Sequence, residues 1–183
     1  MAKQFASFED PHLQLIAESH IFFVGTAAAS GHVNVSPKGR DSLRVLGPNR
    51  VIWRNLTGSG NETAGHLAEA NRITLMWCSF DTRPVILRAY GTARIITPVS
   101  EEWATLNDGF EPDVGARQIY DVAVSLVQTS CGYAVPLMDF REDRDVLAKW
   151  SAQKSEDDMK AYWLKKNTVT IDGFATGIEE QAQ

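Results

Sequence analysis

Residues 50–77 read RVIWRNLTGSGNETAGHLAEANRITLMW, and the order of patterns within this stretch decides the fold class. In residues 50–55, apolar side chains alternate with two arginines, which is typical of a β-strand with one buried face. The segments that follow are a glycine-rich loop at 57–63, a short helical pattern at 64–70 and a second strand at 72–77. The stretch therefore predicts two strands joined by a loop and a short helix.

The chain on both sides of this stretch is also rich in short strands. Further runs of β-branched and aromatic residues predict strands at 21–27, 32–36, 85–96 and 119–127. Helical spacing predicts helices at 11–19 and 100–107 and a pair within 143–166 that divides near Ser155. About six strands without regular strand-helix-strand alternation predict a mainly β fold, a six-stranded antiparallel β-barrel with peripheral helices.

Length and composition limit the class of protein. With 183 residues, 44% of them hydrophobic, the chain is expected to form one domain over residues 1–183, with a helical portion from about residue 143. The net charge of −5 opposes binding to nucleic acid or to anionic membranes. Residues 1–10 have no signal-peptide pattern, and no run approaches the roughly 20 apolar residues of a membrane span. We therefore expect a cytoplasmic protein.

The cysteines and histidines do not predict a metal site. Cys78 and Cys131 are 53 positions apart, so we expect two buried free thiols rather than a disulfide. The four histidines lack the spacing of metal ligands. We predict no bound metal.

The loop at 57–63 has the chemistry of an anion site. Its two glycines allow a ligand to approach the backbone, and three hydroxyl side chains and the amides of the following helix offer donors to a phosphate. The lysine of a P-loop and the third glycine of a dinucleotide turn are both missing. On this loop alone, an ordinary surface turn is the alternative.

Residues 34–40 strengthen the anion-site interpretation, because they place two cations just after a strand. Charge-assisted bonds from lysine or arginine are strong and suit a phosphate. The candidate cations are Lys38, Arg40, Arg54 and Arg88. Taken singly, each is also consistent with a solvated charge at a strand end.

From about residue 18 to residue 96, the chain resembles the pyridoxamine 5'-phosphate oxidase-related family of FMN-binding split barrels. The blocks that carry the resemblance are residues 34–39, 53–63, 66–67, 71–73 and 83–91. Residues 130–136 and 166–173 are similar to a subgroup of unassigned activity.

The resemblance implies a six-stranded FMN-binding split barrel that forms a homodimer, with two flavin sites at the interface, each built from both chains. The residues implied to line the flavin ring and ribityl chain are Asn34, Val35, Ser36, Pro37 and Lys38. Those implied to approach the ribityl chain and phosphate are Trp53, Arg54, Ser59, Asn61, Glu62 and Thr63. Arg88 is implied to lie near the flavin from the next strand.

The chain departs from the pyridoxamine phosphate oxidases themselves. It lacks their Arg-Leu-x-Pro ending, and it has Glu62 and Thr63 where those enzymes have Arg-Lys. We therefore expect a flavin-dependent oxidoreductase acting on a different, unidentified small molecule. The alternatives are a non-catalytic FMN carrier or sensor, and a split barrel that uses deazaflavin or haem.

Overall fold

The structure, a computed structural model, describes residues 2–181 and is built on one antiparallel sheet. Within these residues the sheet has eight strands. They are β1 (Lys3–Phe5), β2 (Phe22–Thr26), β3 (Asn34–Lys38), β4 (Leu43–Gly47), β5 (Arg50–Leu56), β6 (Ile73–Cys78), β7 (Val85–Ile96) and β8 (Ala116–Cys131). The helices are α1 (Asp10–Glu18), α2 (Glu62–Glu69), α3 (Trp103–Asn107), α4 (Val146–Ser151) and α5 (Glu156–Lys166).

The strand order is β3-β2-β6-β7-β8-β5-β4, and β1 pairs with the second half of β8, beyond the end of β5. In the described chain no ladder joins β3 to β4, so the sheet stays open between them. The predicted class, mainly β and antiparallel with peripheral helices, is confirmed. The sheet has eight strands and not the predicted six, because β1 and β4 are too short or too irregular to show a period of two.

The helices follow the predicted pattern, except that α2 begins two residues earlier than predicted and α3 three residues later. Ser155 caps α5 by accepting a hydrogen bond from the backbone of Asp158, at the predicted division between α4 and α5. The helix predicted at 100–107 begins only at Trp103. Its start is displaced because the Ser100 hydroxyl accepts the backbone N–H of Thr97 and forms a turn instead of a cap.

The core lies between the sheet and α1 and is centred on fully buried aromatic side chains. The rings of Trp53 and Tyr120 are stacked with their centroids 4.7 Å apart. β7 bends at Gly91, where its register against β8 shifts and a Cβ would overlap the carbonyl oxygen of Ala123. The register shift marks a β-bulge, and only glycine fits at this position.

Both cysteines are free, but Cys131 is exposed at the end of β8 and Cys78 is only partly buried, so the prediction of two buried thiols is wrong. Residues 2–181 contain no cluster of three or more His, Cys, Asp or Glu side chains arranged to hold a metal ion. None of the helices described has the length and apolar character needed to cross a membrane.

Candidate functional site

A cavity of about 520 Å³ lies where the loop at 57–61 meets β3 and β5. The first turn of α2 forms one wall, Arg117 of β8 lies in another, and Ile171 reaches the cavity from the segment after α5. A strand followed by a glycine-rich loop and the start of a helix places backbone amides at this position. The loop predicted to bind an anion therefore lies in a cavity and is not an isolated surface turn.

Eight of the twelve predicted site residues line this cavity. They are Asn34, Ser36, Lys38, Trp53, Ser59, Asn61, Glu62 and Thr63. Side chains alternate along a strand, so when Asn34, Ser36 and Lys38 face the cavity, Val35 and Pro37 lie on the opposite face of β3. Neither Val35 nor Pro37 lines the cavity.

The other two predicted residues are arginines, and the structure places both away from the cavity. Arg54 is buried on the opposite face of β5, where Nη1 donates to the carbonyl oxygen of Glu111 at 2.7 Å. Its guanidinium also lies 4.7 Å from the centroid of the Phe110 ring. Arg88 donates through Nη1 to the Ser130 hydroxyl at 3.2 Å.

Lys38 is the predicted cation that does face the cavity. Its Nζ lies 4.8 Å from the centroid of the Trp53 ring. Burial, reinforced by the positive charge of Arg117, lowers the pKa of the Lys38 ammonium to about 8. Keeping the Lys38 ammonium charged therefore costs free energy, because the group is partly desolvated. An anion that enters the cavity stabilises the charged form.

Arg117 is a second cation in the cavity, and it was not among the predicted residues. The residue is 2% exposed, and burial lowers the pKa of its guanidinium to about 10. Its Nη1 donates to the carbonyl oxygen of Gly60 at 3.1 Å and to Oδ1 of Asn167 at 2.7 Å, while its Nε has no partner in the protein. The sequence feature that could have identified Arg117 is its position as an arginine at the start of the apolar run that forms β8.

Two more buried side chains on the cavity wall carry polar atoms without a protein partner. Both the oxygen and the nitrogen of the Asn61 side-chain amide are unpaired. His66 is fully buried, with Nδ1 3.1 Å from the Thr26 hydroxyl and Nε2 unpaired. A buried polar atom left without a partner costs about 1–3 kcal/mol. This concentration of unpaired donors and acceptors around one cavity indicates a polar ligand.

Glu62 is the acidic residue in the first turn of α2, and its charge is used at the edge of the site. Both carboxylate oxygens accept the backbone N–H of Ile171, at 3.1 and 3.3 Å. This contact links the start of α2 to the segment after α5. In the cavity wall, the positive end of the α2 dipole and the two cations, Lys38 and Arg117, outweigh this single negative charge.

The mouth of the cavity is bordered by an ion pair and by exposed apolar side chains. Asp172 accepts hydrogen bonds from the backbone N–H and from Nδ1 of His32, both at 2.7 Å, and these bonds raise the pKa of His32. Val33 and Ile171, which line the cavity, are 72% and 79% exposed. The cavity thus has a cationic inner end and an apolar mouth, an arrangement suited to an amphipathic molecule that carries a phosphate.

Comparison with known sequences gives matches over most of the chain. The sequence model of the family described as pyridoxamine 5'-phosphate oxidase matches residues 8–131. A pyridoxamine 5'-phosphate oxidase family protein, ustO of Aspergillus flavus, is 42% identical over 174 residues, which cover 84% of this chain and 69% of that protein.

Solved structures with the same fold include two bacterial proteins. A Lactobacillus delbrueckii protein, provisionally described as a pyridoxamine 5'-phosphate oxidase, superposes with a TM-score of 0.56 at 16% identity, over 67% of this chain and 94% of that one. HupZ of group A Streptococcus gives a TM-score of 0.54 at 21% identity, over 67% of this chain and 98% of the other. At these identities the likeness concerns the fold alone.

Proposed function

The chain belongs to the pyridoxamine 5'-phosphate oxidase family, and on that premise we propose that it binds flavin mononucleotide in the 520 Å³ cavity and serves as a flavin-dependent oxidoreductase for a small molecule. The observation that carries the proposal is the inner end of the cavity. Partly buried Lys38, buried Arg117 and the unpaired amide of Asn61 line it together with the first turn of α2.

This inner end fits a phosphate monoester. Such a group carries about 1.5 to 2 negative charges at pH 7 and three strong acceptor oxygens. Lys38 and Arg117 would supply charge-assisted hydrogen bonds, and the loop amides and the hydroxyls of Ser59 and Thr63 would supply neutral ones. The cavity volume also lies in the usual range for cofactor sites, about 300–1,000 Å³.

The residues have distinct tasks in this proposal. Lys38 and Arg117 would hold the phosphate and exclude neutral ligands, while Asn34 and Ser36 of β3 would contact the polar part between phosphate and ring. Flavin bound there would supply hydride and electron transfer. Glu62, already paired with the Ile171 amide, would take no part in holding the anion.

Pyridoxamine phosphate is not the substrate that we propose. The acid at position 62 lowers the positive charge available next to the loop, compared with an Arg-Lys pair at the same place. The phosphate of the flavin would occupy the cationic end of this cavity, and within the described residues the cavity has no second cationic end for the phosphate of a substrate. The substrate is therefore proposed to be a small molecule that needs no second phosphate pocket.

A haem protein is the second candidate, and one observation favours it. His66 lines the cavity and its buried Nε2 has no partner among the described residues, and an imidazole nitrogen is a common axial ligand of haem iron. A haem protein would show a strong Soret band instead of the two flavin bands.

The absorption spectrum of the purified protein therefore separates the candidates. We expect a yellow protein that releases FMN, identified by chromatography, on denaturation. Anaerobic addition of a reduced nicotinamide cofactor should then bleach the flavin bands if the protein is an oxidoreductase. Bound flavin that no nicotinamide reduces would favour a carrier or sensor, and a colourless protein that ignores micromolar FMN would refute flavin binding.

We also propose a homodimer in which the partner covers the mouth of the cavity. Val33 and Ile171 at the mouth are apolar and exposed, and one copy leaves the outer end of the cavity open to solvent. Multi-angle light scattering should give twice the 20.3 kDa of one chain. A mass of one chain at high protein concentration would contradict the dimer.

A further inference from the structure

Asn167, the residue that follows α5, lies at the centre of the contacts that hold the anion end of the cavity. It is fully buried. Its Oδ1 accepts the hydrogen bond from Nη1 of Arg117 at 2.7 Å, and its Nδ2 donates to the carbonyl oxygen of Gly58 at 3.1 Å. One side chain thus fixes both the buried cation and the first glycine of the loop.

The C-terminal part of the chain holds the loop at a second point. Nε1 of Trp163, in α5, donates to the Thr57 hydroxyl at 2.8 Å, and that hydroxyl donates to the carbonyl oxygen of Gly115. Trp163 and Asn167 are four residues apart, at the end of one helix, so they act from the same side of the loop. Both lie beyond residue 131, where the family match ends.

The partners of Arg117 are chemically unusual for a buried arginine. A buried charge is generally paired with an opposite charge. Arg117 instead bonds to the carbonyl oxygen of Gly60 and the amide oxygen of Asn167, and no ion pair to it occurs within the described residues. Neutral acceptors orient the guanidinium without cancelling its charge, so the charge remains available to a ligand.

We infer that Asn167 is a positioning residue that makes the cavity selective for anionic ligands, by orienting Arg117 with a neutral acceptor and by fixing the loop at Gly58. The inference rests on the proposed function for the identity of the ligand. It adds a role for a residue beyond the stretch that the family model matches, and it gives a physical reason for an amide at this position. A carboxylate in the same place would pair with Arg117 and remove the positive charge from the site.

The test compares Asn167→Asp with the wild type, using FMN, riboflavin and inorganic phosphate as ligands. Riboflavin has the same ring and no phosphate, so the ratio of the two flavin affinities measures anion selectivity. We expect Asn167→Asp to lower FMN affinity about tenfold to a hundredfold, the equivalent of one lost charge-assisted hydrogen bond, and to leave riboflavin affinity within about twofold. Asn71→Asp, the same change at an exposed position before β6 whose amide bonds only to the backbone of Ala93, away from the cavity, is the matched control and should leave both affinities unchanged.

Thermal unfolding of each variant separates positioning from folding. The inference is overturned if Asn167→Asp unfolds at the wild-type temperature and binds FMN as tightly as the wild type does. If Asn167→Asp does not fold, Asn167→Ala is tested instead. In that variant the ratio of FMN affinity to riboflavin affinity must be at least about fivefold lower than in the wild type.

Inorganic phosphate distinguishes this inference from the proposed function. If the wild type ignores FMN but is stabilised by phosphate, and Asn167→Asp loses that stabilisation, flavin binding is refuted while the role of Asn167 is supported. If phosphate stabilises wild type and Asn167→Asp equally, the role of Asn167 is refuted.

Discussion

The lowered pKa of Lys38 predicts that FMN affinity falls as the pH rises from 7 to 9. With a pKa of about 8, the Lys38 ammonium is about nine-tenths protonated at pH 7 and about one-tenth at pH 9. A phosphate monoester has its second pKa near 6, so the ligand keeps its charge through this range. Because the anion binds the protonated form, affinity should fall about tenfold between pH 7 and pH 9.

Two comparisons isolate Lys38 as the cause. Lys38→Arg keeps its charge at every pH used and should bind FMN with a flat profile. Riboflavin, which has no phosphate, should bind the wild type with little dependence on pH. Fluorescence titration of the apoprotein at half-unit steps of pH measures all three profiles.

Loss of the fold cannot produce the same trend, because the sign of the stability effect is opposite. The unfolded chain holds the Lys38 proton up to about pH 10.5, whereas the folded protein releases it near pH 8. Between these values the unfolded state binds more protons, so this group makes the apoprotein more stable as pH rises. A flat wild-type FMN profile, or a slope that persists in Lys38→Arg, would refute the placement of Lys38 at the phosphate.

Three further substitutions test separate parts of the structure. Arg54→Ala should leave FMN affinity within about twofold of the wild type, yet reduce the free energy of unfolding by about 1.5–3 kcal/mol, since a buried charge-assisted hydrogen bond to the Glu111 carbonyl is lost; urea denaturation checks this. Gly91→Ala should destabilise the protein by about 1–3 kcal/mol or more through the overlap with Ala123, and an unchanged denaturation midpoint would contradict the bulge. Ile171→Asp should yield monomers in light scattering, because it places a charge in the apolar mouth of the cavity. If the variant dimerises as tightly as the wild type, Ile171 does not lie at the dimer interface.

The regular parts of the fold could be predicted from local patterns. β5, α2 and β6 follow the alternation and helical spacing of residues 50–77, and the bulge at Gly91 follows from a glycine inside a long strand. β1 could not be predicted in this way, because three residues carry no usable periodicity and its position depends on pairing with β8. The opening of the sheet between β3 and β4 is likewise a tertiary property.

The cavity was predictable where sequence neighbours form it and not where distant segments do. The loop and β3 were identified because their residues are contiguous and chemically distinctive. Arg54 follows Trp53 in the sequence, but the pleat of β5 turns successive side chains to opposite faces. Trp53 therefore lines the cavity and Arg54 does not. Arg117 and Asn167 enter from β8 and from the end of α5, and only the folded chain brings them to the loop.

The most direct test of the central claim is a calorimetric titration of the apoprotein with FMN and with riboflavin at pH 7, in the wild type and in Arg117→Met. Lys38 and Arg117 together should make FMN bind at least about a hundredfold more tightly than riboflavin, at about 1.5–3 kcal/mol for each charge-assisted bond. In Arg117→Met this preference should shrink at least about tenfold, while riboflavin affinity stays the same. Equal affinity of the wild type for FMN and riboflavin, or no binding of either, would contradict the account.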